Sequence, residues 1–309
     1  MCRLACVVNQ SPLLLCAVLG AMFPLRAHGT AVFEVVVNAG ASASDGGSDN
    51  EFPPVYDTGQ IAIATLPASL STSQAATAAI GTASGDGNAS GRGELTVPGT
   101  FAGAMLRAVA TSHAVAPAGG PNATSGFGSG QSRVEYRDVL YASGLPAGTP
   151  IHLRVRLDLD GAMDLVGEGA GNHAQLSFGD SGTPGAPIDQ LTCTDMNGPC
   201  SRSDTGEIEA VVGAPYGISL ELFTQVHSAA NLLGPNFASS SSDFGSTARL
   251  CIDVITPGTS YTLDSGGDLR CAPDPPRSVP ALPPLAVGAL VLALGAAASR
   301  PLRRESNRR

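Results

Sequence analysis

The sequence contains no tryptophan and only five tyrosines and nine phenylalanines among 309 residues. A core with so few large rings has to be filled by Val, Leu, Ile and Ala, each burying less area than an aromatic side chain, so the packing must be thin. Lysine is absent too, and all 17 basic residues are arginine. Charged residues are only 14 % of the chain, and no segment before residue 285 keeps a sustained helical period. Together these exclude a helix-rich enzyme and any Gly-rich phosphate loop opening onto a helix.

Glycine and proline are plentiful, at 38 and 23 residues, and they punctuate short runs with an apolar period of two. Examples are Phe33-Val35-Val37, Ile61-Ile63, Ile151-Leu153-Val155-Leu157 and Ile218-Leu220-Leu222. Alternation of this kind marks half-buried strands. Further strands are expected at 92–98, 104–112, 132–142, 173–179, 206–213 and 246–256. The expected fold class is all-β, an antiparallel jelly-roll-like sandwich over residues 30–277. The low-complexity stretches Gly40 to Asp49, Thr82 to Gly91, Ala116 to Gln131 and Ser239 to Ser242 read as surface loops. One domain is expected, with an alternative boundary near 116–131.

Ten arginines face 25 acidic residues between the two hydrophobic ends, a net of −15 against −9 for the whole chain. Such a surface repels phosphate backbones, which argues against nucleic acid as a partner. Residues 1–29 read as a secretory signal peptide, with Arg3, an apolar run from Leu13 to Phe23, and the small-residue site Ala27-His28-Gly29 before Thr30. Those 11 apolar residues, at about 1.5 Å each, fall short of a bilayer core of roughly 30 Å. Cys2, Cys6 and Cys16 leave with the signal. Cys193, Cys200, Cys251 and Cys271 remain, an even count that reads as two disulfides in an oxidising compartment. Of the three connectivities, Cys193 with Cys200 and Cys251 with Cys271 need the least chain rearrangement. A zinc site is disfavoured because neither pair has CxxC spacing and no histidine lies close in sequence.

The other end, 279–309, runs Val279-Pro280-Ala281-Leu282-Pro283-Pro284, an apolar stretch from Leu285 to Ala298 within an expected helix 285–299, and an arginine-rich end 300–309. Arg300, Arg303, Arg304, Arg308 and Arg309 stay cytoplasmic by the positive-inside rule, so the preceding domain faces outward. A proline-containing motif, a brief apolar segment and terminal arginines together resemble the sorting tails that exosortases process in Gram-negative bacteria. Val279-Pro280-Ala281-Leu282-Pro283 is similar to the start of the IPTL-CTERM type, with Ala281 where that type has threonine and without its following tryptophan. PEP-CTERM is the second resemblance, with Ala281 in place of its glutamate. Segments 144–160 and 243–250 also look like stretches of PEP-CTERM outer domains. The resemblance implies signal peptidase and an exosortase-like membrane protease as partners, and transient anchoring before release to the surface. A single-pass anchor that stays is the alternative.

Two motifs invite chemistry. Gly179-Asp180-Ser181-Gly182-Thr183-Pro184 resembles the nucleophile loop of chymotrypsin-like serine proteases. His113 lies only 68 residues before Ser181 and outside any Ala-Ala-His-Cys context, so the segment reads as a turn. Asp158-Leu159-Asp160-Gly161 with Asp164 offers oxygen ligands for calcium but lacks the third acid of an EF-hand loop, and reads as an Asp-Gly turn. His113, His152, His173 and His227 are scattered, and no metal or cofactor is expected. The expected role is a structural or adhesive protein of the envelope or extracellular matrix, without catalysis. The rival is a carbohydrate-binding or carbohydrate-active jelly roll meeting an envelope or matrix polysaccharide, which a face carrying Tyr136, Tyr141 and acidic residues would mark.

Overall fold

The computed structural model describes residues 31–272 except 46–47, 64–65, 81, 96–102, 117–123, 182–187 and 232–236, and gives backbone only at 45, 48–56 and 246–247. Strands fill most of it. In chain order they are β1 (Val32–Asp45), β2 (Ser48–Ala62), β3 (Ala68–Ile80), β4 (Ala83–Leu95), β5 (Ala104–Val115) and β6 (Thr124–Ser143). There follow β7 (Pro150–Val166), β8 (Ala170–Asp180), β9 (Asp189–Thr194), β10 (Gly198–Val211), β11 (Pro215–Asn231), β12 (Phe237–Val254) and β13 (Ser260–Leu263). All pairings are antiparallel, in two facing sheets. Sheet A has the order β2-β1-β6-β11-β8-β9, with β13 on the far end of β6; sheet B has the order β10-β7-β12-β5-β4-β3. The chain is an all-β antiparallel sandwich.

Each expected strand overlaps an observed one, most of which begin well before the sequence suggested, while the expected ends at 213 and 256 lie two residues past β10 and β12. The low-complexity stretches depart from the expectation of loops. Residues 40–45 belong to β1, 83–91 to β4, 124–131 to β6 and 239–242 to β12. They keep the period of two with small residues in both phases. In β4, Ala83, Gly85, Gly87, Ala89, Gly91, Gly93 and Leu95 turn inward, while Ser84, Asp86, Asn88, Ser90, Arg92 and Glu94 turn outward.

The reason lies in the interior, which has two unlike halves. In the wide half Phe33, Val35, Leu106, Val134, Tyr136, Leu140, Ile151, Leu157, Phe178, Leu220 and Leu250 interdigitate, all at most 1 % exposed or fully buried within one cluster. In the narrow half the buried apolar groups are small, Ala39, Ala41, Ala43, Ala76, Ala78 and Ala83 in one, with Ile80 packed at its margin, and Ala114, Ala116 and Ala230 in another. There the two sheets meet backbone to backbone. A Cβ on Gly87 would sit 1.8 Å from the Ser129 carbonyl oxygen, and one on Gly128 would sit 1.9 Å from that of Asp86. Facing sheets ordinarily stand about 10 Å apart with side chains between them, so only glycine fits in this closer approach, where Cα–H groups face carbonyls of the opposite sheet.

Candidate functional site

Two concave features lie on the outer face of sheet B, and a bulge makes them. Along β12, the four steps from Phe244 to Ala248 match only two on β5, from Ala108 to Leu106, and the four from Asp243 to Thr247 likewise match the two from Ala162 to Asp160 on β7. Extra residues in one strand bend it and redirect its side chains. Here Phe244 turns fully into the core beneath Gly161, where a Cβ would come within 2.4 Å of its ring. The outer surface is left hollow. One groove of about 370 Å³ is lined by Ser71, Ser73, Ser90, Arg92, Arg107 and Val109, and a second of about 470 Å³ by Asp160, Ala162 and Asp243; Gly245 borders both. The combined trench crosses β3, β4, β5, β12 and β7, four strand spacings or about 19 Å. Its β4–β5 end is basic, where Glu94 pairs with Arg92 and, at 3.3 Å, with Arg107. The β12–β7 end is acidic, and Asp243 Oδ1 accepts from Gly245 N at 2.8 Å. Serine hydroxyls of β3 and β4 line the end at β3, and Val109 of β5 lies in the middle.

The outer face of sheet A carries a charged row. Glu34, Glu135 and Glu221 are direct cross-strand neighbours on β1, β6 and β11. Three carboxylates side by side would repel, and two arginines of β6 separate them. Arg133 donates to Glu221 at 2.8 and 2.6 Å and to Glu135 at 3.1 Å. Arg137 donates to Glu135 at 2.5 and 2.6 Å and to Glu34 at 3.5 Å. Hydrogen bonding to Glu135 raises the Arg137 guanidinium above its ordinary value; for Arg133, burial pulls down, but Glu221, Glu135 and Glu34 together raise it above its ordinary value. With the carboxylate oxygens engaged by arginine, the row is a brace across three strands.

A buried polar cluster joins β6 to the turn after β13. Asp138, 2 % exposed, accepts from Tyr136 Oη at 2.5 Å, Val139 N at 2.7 Å, Ser265 Oγ at 2.5 Å and Ser265 N at 3.3 Å. Burial pushes its carboxyl up despite these donors, and burial next to Asp138 drives the Tyr136 phenol well up.

The cysteines pair as the sequence favoured, Cys193 with Cys200 and Cys251 with Cys271, at disulfide distance with Cα separations of 6.4 and 4.8 Å. Ser181 is exposed at the end of β8 in sheet A and donates its N–H to Gly217 O at 3.2 Å. His113 lies on β5 in sheet B, so the structure does not bring these two together. Asp158 accepts from Arg156 at 3.1 Å and Ser203 at 2.7 Å. It alternates along β7 with Asp160 and Asp164, which spreads the three carboxylates along the strand instead of around a point. Among the described residues no three His, Cys, Asp or Glu side chains are grouped to hold a metal. Tyr136 is in the core and Tyr141 is 40 % exposed, so the two do not form a surface platform.

The sequence reading missed one row. Asp86, His113 and Ser239 are successive cross-strand neighbours, with His113 Nδ1 3.3 Å from Asp86 Oδ1 and the Phe237 ring edge-on to His113 at 5.0 Å. These are the residue types of a nucleophilic triad, yet none of the three lines the trench. Only the strand order could have revealed the row. The signal peptide 1–29, the motif Val279 to Pro283, the helix 285–299 and the terminal arginines lie outside the described residues. Among the described residues no helix is long and apolar enough to cross a membrane. Neither a family model nor a curated protein matches the chain.

Proposed function

We propose that the protein is exported across the inner membrane, anchored transiently by its C-terminal segment, and sorted to the cell surface or beyond, where the sandwich serves a structural or adhesive role without catalysis. The observation that carries this reading is the placement of all four post-signal cysteines in two pairs at bonding distance, which fits an oxidising compartment. The resemblance of the tail to exosortase substrates supplies the route. Signal peptidase acts after Gly29 and an exosortase-like protease acts at Val279 to Pro283, while Arg300, Arg303, Arg304, Arg308 and Arg309 hold the end in the cytoplasm. A jelly-roll-like wrapping of the sandwich is supported by the way consecutive strands alternate between sheets, as β6, β7 and β8 do and again β9 through β13. C-terminal peptide mapping of the surface fraction is the test. The surface form should lack Leu302 to Arg309, and their recovery in full yield leaves the plain single-pass anchor.

A second reading, a surface carbohydrate-binding domain, is favoured by the trench on sheet B. Its hydroxyl lining and its length suit a linear glycan. Its lack of aromatic rings predicts weak binding, because stacking on a ring face contributes much of the energy in aromatic-lined sites. Titration with neutral linear oligosaccharides, followed by amide chemical shifts of Ser90 and Val109, tests it; shifts confined elsewhere or absent reject the trench.

A further inference from the structure

The four long edges of the sandwich are not protected alike. β2 carries Pro53 and Pro54 with Asp49, Glu51 and Asp57; β10 carries Pro199, Arg202, Asp204, Glu207 and Glu209; β9 is only six residues long. These are the usual means by which a sheet avoids pairing with a stranger: proline, charge and brevity. β3 has none of them. Its 13 residues, ASLSTSQAATAAI, contain no charge and no proline, and its register with β4 runs without a shift from Ala68 to Ile80. Among the described residues β4 is the only strand that pairs with it.

We infer that β3 is an interface between two copies of this chain, paired antiparallel across a two-fold axis so that two six-stranded B sheets join into one. An isologous contact requires a strand that fits itself, and β3 does so when centred on Gln74. Leu70 then lies opposite Ala78 on the inner side, large against small, and the pairing runs over residues 70–78. On the outer side Ser71 meets Thr77 and Ser73 meets Ala75, all exposed and small. Charge selects where copies touch: with a net of −15 between its hydrophobic ends the chain repels itself over most of its surface, and β3 is a strip free of that repulsion. In the facing sheet Asp57 accepts a hydrogen bond from Thr72 of β3, and the prolines of β2 keep that strand from pairing in the same way, which confines the contact to sheet B. The inference does not rest on processing of the tail, since β3 is the same before and after it.

The test is sedimentation of the full chain in a mild detergent, where any association through the tail is common to all variants. The wild type should dimerise, and more tightly as salt is raised, because salt screens the repulsion between acidic copies. Ser73→Lys with Ala75→Lys places like charges opposite each other on exposed positions, and should weaken the dimer about tenfold or more while circular dichroism stays unchanged. Gln74→Cys should oxidise to a covalent dimer, since directly paired residues have Cβ atoms about 4.5–5.5 Å apart; Ser71→Cys should not. A chain that stays monomeric to about 1 mM, a dimer indifferent to both lysines, or no cross-link at position 74 overturns the inference. Should the lysine variant fail to fold, the cross-link alone decides. Dimers cross-linked equally well through Ser71→Cys would point to a different register and overturn it too.

Discussion

Gly128→Ala should damage this protein far more than a single methyl group ordinarily does. The added Cβ would fall 1.9 Å from Asp86 O and 2.7 Å from His113 O, backbone atoms of two different strands in the opposite sheet. Side-chain carbons essentially never approach closer than 3.0 Å, so β6 must retreat by about an ångström from β4 and β5 together. Flexible side chains that could yield are absent, because the carbonyls are locked in ladder hydrogen bonds on both sides. Overpacking of a close-packed interior costs about 1–3 kcal/mol and occasionally more, and a backbone obstacle places this site at or above about 3 kcal/mol. The control is Gly206→Ala in the edge strand β10, where the nearest atom to a new Cβ is Asp189 Oδ2 at 3.9 Å. Relief of glycine's conformational entropy should stabilise that variant by about 0.5–1 kcal/mol. Urea denaturation of both variants, with m compared to detect a change in compactness, reads the difference. A Gly128→Ala protein within about 0.5 kcal/mol of wild type would refute the backbone-to-backbone account of the narrow half.

Burial raises the phenols of Tyr136, Tyr216 and Tyr261 above their ordinary value. A group raised on folding contributes stability that is present below its unfolded value, about pH 10, and is lost as pH climbs through the folded value. Their phenolate absorbance should therefore appear together with loss of the far-ultraviolet strand signal, and reversible titration near pH 10 with the fold intact would count against the burial. Ser181→Ala should change neither stability nor any activity, since Ser181 sits on a turn in sheet A with His113 on the other sheet; stoichiometric labelling of Ser181 by a fluorophosphonate would show otherwise.

What could be read in advance follows from side-chain size. Strands in the wide half announce themselves, because Val35, Leu153 or Leu220 contrast with the polar residues between them. Strands of the narrow half do not. In 83–91 the inward residues are glycine and alanine and the outward ones serine, asparagine and aspartate, so hydropathy alternates too little to separate a strand from a loop. β3 was missed for the same reason, and β9 and β13 because they are short. The trench was hidden for another. It depends on a bulge in β12 and on five strands from distant parts of the sequence lying side by side, and neither local spacing nor composition encodes that order. The cysteine pairs were legible because each closes a short loop.

The wide half also holds both ends of the sandwich, and removal of one disulfide tests how firmly. Ala31, Leu263 and Leu269 belong to the large apolar cluster, so both ends of the sandwich are rooted in the wide half. The last residues are fastened there by several independent contacts: Ile252 N donates to Leu269 O at 2.6 Å, Ser265 binds Asp138, and Cys251 is within bonding distance of Cys271. The Cys251–Cys271 link spans 20 residues, worth about 3 kcal/mol in the chain-entropy account. Cys251→Ala with Cys271→Ala should lower global stability by about that amount. It should also free residues 264–272 to open locally, because what then holds them is one buried apolar side chain, Leu269, and a handful of hydrogen bonds. Limited proteolysis should then cut within 264–272 before any strand, whereas Cys193→Ala with Cys200→Ala, a link spanning 7 residues, should leave that segment protected. Equal protection of 264–272 in both double variants would mean that the Asp138 cluster and the core around Leu269 suffice to hold the end. A segment that stays closed only with its disulfide would instead make that bond a condition for an ordered C-terminal end of the sandwich.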